Sequence, residues 1–182
     1  MMNYFEEDLE RAHDFHGHIC HGIVLGVRIA RAGLNYLGIA DPAQNRDFLV
    51  YVEADRCIAD AVYSVTGCSL GKRRLKWIDY GKMAATFIDM NSKKGIRIVV
   101  SASQRAPESG DIVGFWNSIP DEDLFKFEAV SVNLKPEDLP GKPLSRVKCE
   151  SCGENIMDGR ELVVNSQTLC RACANGAYYE KL

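Results

Sequence analysis

Two groups of residues in this 182-residue chain have the types and spacing for chemistry. Cys149 and Cys152 form one Cys-x2-Cys pair, Cys170 and Cys173 a second, and 17 residues separate the pairs. That spacing predicts a structural zinc ribbon: each turn aims two sulfurs at one point, and the residues between fold as a hairpin that brings the turns together. Four thiolates fill a tetrahedral shell and leave no position for substrate. The second group is Phe15-His16-Gly17-His18-Ile19-Cys20-His21-Gly22, which holds three of the four histidines. In an extended chain His16, His18 and Cys20 project to one side, because strand side chains alternate. Two nitrogens and a sulfur make a partial metal shell. Cys57, which follows a strand and precedes a helix, is the candidate to complete it, with His21 and Asp60 as further candidates. Imidazole with thiolate suits zinc, nickel, copper or iron. A catalytic or redox thiol without metal, at Cys20 or Cys57, is the lesser alternative. Cys68, between Gly67 and Ser69, reads as packing.

The composition narrows the classes. Net charge is −3, with 46% hydrophobic and 26% charged residues, which is ordinary for a globular protein and excludes disorder. Residues 148–182 carry four basic and five acidic side chains, so the ribbon has no positive field to attract nucleic acid. The acidic start is unlike a basic secretory leader, and no run approaches the roughly 20 apolar residues of a membrane helix. A cytoplasmic, non-membrane protein is expected, and in reducing cytosol clustered thiols point to metal or catalysis rather than disulfides.

The elements that must position these residues follow from periodicity. A helix is expected over 3–14 and another over 20–37, where Ile23, Val27, Ala30, Leu34 and Leu37 recur at helical spacing. Gly22, Gly26, Ala30 and Gly33 form a stripe of small residues suited to close backbone approach. Strands are expected over 48–53, 75–80, 83–90, 95–101 and 130–134, and helices over 57–66, 107–117 and 121–127. Met83, Phe87 and Trp116 are expected in the core, and Lys72, Arg73, Arg74 and Lys76 in a solvated basic turn. Gly67-Cys68-Ser69-Leu70-Gly71-Lys72-Arg73 lacks both the glycine spacing and the Ser/Thr of a phosphate loop. The division is therefore a mixed body over 1–134, a proline-rich linker over 135–146 and a ribbon over 147–182.

The histidine–cysteine segment, Cys57-Ile58-Ala59-Asp60-Ala61, Thr66-Gly67-Cys68-Ser69-Leu70-Gly71-Lys72 and Asp79-Tyr80-Gly81-Lys82-Met83-Ala84, taken in that order, resemble the FmdE family, named for the E subunit of formylmethanofuran dehydrogenase. The resemblance covers roughly residues 10–135. It implies an α+β body, thioredoxin-like, with a mixed five-stranded sheet flanked by helices. It also implies an intertwined homodimer, in which the small-residue stripe would serve close packing. Some family members add a C-terminal zinc finger, and the family's histidine and cysteine positions map onto His16, His18, Cys20 and Cys57. The family commonly has proline where this chain has His21. The function expected is that of a metal-binding accessory subunit of a molybdenum or tungsten redox enzyme. It would hold structural zinc in the tail and a second transition metal (zinc, nickel or iron) in the body. The alternatives are a stand-alone metal- or thiolate-dependent enzyme for a small substrate, and a nucleic-acid-binding regulator using the ribbon.

Overall fold

The computed structural model describes residues 4–101 and 110–182, in two compact units, Met1–Leu134 and Lys135–Leu182. The first contains α1 (Tyr4–His16), α2 (His21–Tyr36), β1 (Phe48–Val52), α3 (Cys57–Thr66), β2 (Leu75–Trp77), β3 (Ala84–Asp89), β4 (Lys94–Val100), α4 (Ile112–Asn117), α5 (Asp121–Leu124) and β5 (Phe125–Ser131). The strands form one sheet in the order β2-β1-β3-β4-β5. β1 and β2 are parallel, joined through α3, and the remaining pairs are antiparallel. The mixed five-stranded α+β architecture is the one expected.

Alternation along the strands sorts the core. Phe48, Val50 and Val52 of β1, Ala85 and Phe87 of β3 and Ile96 and Ile98 of β4 pack with the apolar faces of α1, α2 and α3. Leu49 and Ile88 point to the opposite face and cluster with Leu134, Tyr51 and Val130. Phe87 and Trp116 are buried as expected, and so is Cys68; Met83 is half-buried against the same core.

The stripe of small residues makes close approaches within this chain. A side chain at Gly22 would lie 2.9 Å from Cβ of Cys57, and one at Gly26 would lie 2.6 Å from Cβ of Ala61. At Gly33 it would enter the Phe87 ring. The glycines therefore seat α2 on α3 and on β3.

Several boundaries differ from the periodicity. The helix expected over 121–127 is a single turn after Pro120, and Phe125 already begins β5. Seven residue pairs with β4 hold that strand, so the last strand runs over Phe125–Ser131 rather than 130–134. β2 runs only over Leu75–Trp77, although the amides of Ile78 and Tyr80 still donate to the carbonyls of Val52 and Glu53 beyond it. The helix expected over 107–117 lies partly outside the described residues; within them α4 starts at Ile112, capped by Asp111, whose carboxylate accepts from the Gly114 amide at 2.8 Å. In the basic turn Arg74 is not solvated. It is buried over the Phe48 ring and donates to the carbonyls of Phe48 and Asn45.

Charged groups tie the helices down. Asp8 of α1 is fully buried and accepts from Arg31 of α2, through Nε at 2.7 Å, and from Arg11. Removing one partner of a buried pair strands the other charge. Asp8→Ala is therefore expected to cost about 3 kcal/mol, read as a lower urea midpoint with an unchanged slope. Arg28 of α2 likewise holds the segment carrying α4 and α5, donating to the carbonyls of Trp116 and Ile119 and to the Asp121 carboxylate.

The second unit contains β6 (Arg146–Lys148) paired with β7 (Asn155–Met157), β8 (Leu162–Val164) paired with β9 (Gln167–Leu169), and α6 (Arg171–Asn175). Asn165 and Ser166, both at positive φ, make the two-residue turn between β8 and β9. Residues read in the sequence as linker are folded onto these hairpins. The Leu144 amide donates to Asp158 at 2.8 Å, and Arg160 reaches the Asp138 carboxylate at 3.1 Å.

Candidate metal centres

In the second unit the expected hairpin brings the two cysteine pairs together. One ligand atom from each of Cys149, Cys152, Cys170 and Cys173 lies within 4.8 Å of the others. Cys149 follows β6 and is buried; Cys170 follows β9 and caps α6, its sulfur accepting from the Cys173 amide at 3.4 Å. The Cys170 amide donates to the Cys149 sulfur at 3.3 Å. Backbone amides of Cys152 and Cys170 pull the Cys149 thiol down to about 6, so it is ready as a thiolate near neutral pH. The core around the cluster is only Cys149, Ile156 and Leu169 with a few half-buried neighbours. Four sulfurs in a closed group, on a unit with so little apolar core, fit a structural zinc.

The cluster in the body is built from three helix ends. α1 extends to His16, two residues further than periodicity suggested, and closes with the Gly17 amide on the His13 carbonyl at 2.7 Å. Gly17 takes φ +92°, which favours glycine, and the chain turns back so that Cys20 caps α2. Cys57 is the first residue of α3. His16 Nε2 lies 3.9 Å from the Cys20 sulfur, and the Cys20 and Cys57 sulfurs are 3.5 Å apart. These three groups, all half-buried, lie within 4.8 Å of one another. The 16–20 segment is thus a turn rather than the extended chain expected, and the convergence of His16 with Cys20 comes from helix ends.

The other sequence candidates take different places. Asp60 stands behind His16, its Oδ2 2.8 Å from Nδ1, which leaves Nε2 facing the sulfurs. A carboxylate in that position fixes the ring's orientation and raises its basicity as a ligand. His18 is exposed and falls outside the three-residue group, its ring centroid 4.6 Å from that of His16 with the planes tilted by 33°. His21 points elsewhere: its Nδ1 accepts from the Trp116 indole at 2.9 Å. Burial, reinforced by the Cys20 sulfur, pushes the Cys57 thiol up. Sequence reasoning missed the Trp116 contact, 95 residues from His21, for which no local pattern exists.

Residues 15–123 match the family model described as FmdE, molybdenum formylmethanofuran dehydrogenase operon. The chain belongs to the FmdE family. Residues 142–179 of this FmdE protein match the prokaryotic dksA/traR C4-type zinc finger, the segment that holds the four clustered cysteines. A relative from Archaeoglobus fulgidus, described as a probable S-adenosyl-L-methionine-binding protein, is 34% identical over 94% of this chain. The chain spans 53% of that relative's length. Among solved structures, a tungsten formylmethanofuran dehydrogenase FmdE-like protein from Syntrophus aciditrophicus superposes with a TM-score of 0.60 at 22% identity. That match covers 97% of this chain and 95% of the other, which establishes a common fold. Among the described residues no helix is long and apolar enough to cross a membrane.

Proposed function

We propose that this FmdE-family protein is a metal-binding accessory subunit for a molybdenum or tungsten enzyme of the formylmethanofuran dehydrogenase class. Its tail zinc would be structural and its body would hold a second transition metal. The reading rests on one observation: His16 Nε2 and the sulfurs of Cys20 and Cys57 converge, with Asp60 supporting His16 from behind. The family description and the name of the structural neighbour support the choice of partner enzyme. A cytoplasmic homodimer, expected from the sequence, belongs to the same reading.

His16, Cys20 and Cys57 would supply two thiolates and an imidazole, a set suited to zinc, nickel or iron, and His18 would be the fourth ligand. Elemental analysis is expected to return two metals per chain. His16→Ala with Cys20→Ser should lower that to one while the far-ultraviolet circular dichroism stays unchanged. One metal in the unmodified chain, or two in the double variant, would refute the body site.

A second reading is favoured by the exposure of His18. If His18 does not ligate, three protein groups leave a position for water or a small substrate, as in catalytic zinc sites. Cobalt loading separates the two. Loss of body-metal affinity in His18→Ala supports the closed accessory site; unchanged affinity and an unchanged visible spectrum support the open, enzymatic one.

A further inference from the structure

We propose that Cys20 and Cys57 form a reversible dithiol–disulfide site whose oxidant is a small-molecule disulfide of the glutathione type. The two sulfurs lie 3.5 Å apart across 37 residues of sequence, and both are half-buried, within reach of a small reagent. A disulfide needs sulfurs at about 2.05 Å, so from 3.5 Å the pair must close by roughly 1.5 Å. Gly22 has no side chain, which lets the start of α3 come so close that a Cβ there would sit 3.1 Å from the Cys57 sulfur and 3.8 Å from that of Cys20. Gly22 therefore lies beside both cysteines. Cys68, by contrast, is fully buried and takes no part.

The exchange balances without any group beyond the oxidant. One thiolate, Cys20 or Cys57, attacks a sulfur of the glutathione disulfide, forming a mixed disulfide and releasing one glutathione thiolate. The second cysteine attacks the protein sulfur of that mixed disulfide, forming Cys20–Cys57 and releasing the second glutathione. Two protein thiols are oxidised, one external disulfide is reduced to two thiols, and the two protons pass to the released thiolates or to solvent. The inference uses the same sulfurs as the proposed body metal, so a bound metal and the disulfide exclude each other: loading protects the thiols and oxidation removes two ligands.

The test uses the full chain, with its body metal removed by mild chelation and its tail zinc retained. It is incubated with oxidised glutathione and mapped by peptide mass spectrometry under non-reducing conditions. The expected product is a peptide pair joined through Cys20 and Cys57, reversed by dithiothreitol, and Cys57→Ser should instead trap glutathione on Cys20. Chain preloaded with zinc or cobalt at the body site should oxidise at least tenfold more slowly. Gly22→Val, which wedges the helices apart, should shift the product to mixed disulfides. Mixed disulfides alone in the unmodified chain, or pairing of Cys20 or Cys57 with other cysteines, would overturn the proposal. Metal binding is measured separately by elemental analysis. Disulfide formation without a body metal upholds this site and refutes the metal reading; metal binding with no disulfide does the reverse.

Discussion

Removing zinc from the tail is expected to unfold residues 142–179 while the body stays intact. The second unit has two short hairpins, a five-residue helix and a core of three buried side chains, too little apolar surface to offset the conformational entropy of ordering it. Apparent zinc binding energies of about 10–16 kcal/mol in comparable four-ligand units greatly exceed what such a core supplies. Cys170 is the most sensitive single position. Its sulfur is a ligand candidate and caps α6 by accepting from the Cys173 amide, and the residue follows directly on β9. Cys170→Ser should leave the tail amides exchanging at the rate of an unstructured chain, with the exchange of β3 and β4 unaltered. Acidification acts in the same direction, because thiolates that take up protons release metal. Amide exchange after chelation checks the point, and protected amides in a metal-free tail would refute it.

The second large effect is expected in the body, from the smallest possible substitution. Gly33→Ala places a methyl group 2.2 Å from the Phe87 ring, inside its van der Waals surface. Phe87 is fully buried in β3 and hemmed by its register with Val50 on one side and Ile96 on the other, so it has no free direction to move. Overpacking a close-packed interior costs about 1–3 kcal/mol, and a rigid ring against a helix backbone falls at the upper end. The helix preference of alanine over glycine returns only about 1 kcal/mol. Gly33→Ala should therefore lower stability by about 2 kcal/mol in chemical denaturation. Phe87→Leu should offset part of that loss when combined with it, although alone it destabilises. Additive losses in the double variant would show that the two positions are not in contact.

The sequence was legible where the signal is local. The two cysteine pairs, the turn between their hairpins and the helical spacing of Ile23, Val27, Ala30 and Leu34 each depend on a few neighbouring residues, and they give the ribbon and α2 directly. The small residues of α2 announced a close approach but not its partner, because Cys57, Ala61 and Phe87 are distant in sequence. The edge strand β5 was obscured because Leu124, Phe125 and Phe127 suit a helix end as well as a strand, and only pairing with β4 decides between them. In the body cluster the ligand types were visible and the geometry was not. An extended chain and a helix–turn–helix both bring His16 near Cys20, but only the turn leaves His18 outside and sets Asp60 behind His16.

The meeting of Cys20 and Cys57 also bears on the unfolded chain. Any bond spanning those sulfurs, direct or through a metal, ties off a loop of 37 residues that holds all of α2, all of β1 and the connection between them. Closing a loop of that length removes about 4 kcal/mol worth of disorder from the denatured ensemble in the chain-entropy model. β1 occupies the middle of the order β2-β1-β3, and it is both the strand most constrained by such a tie and the one on which β2 and β3 assemble. The same bond should therefore shorten the search for β1's two partners and speed refolding, a kinetic effect separable from any role the cluster has in the native state.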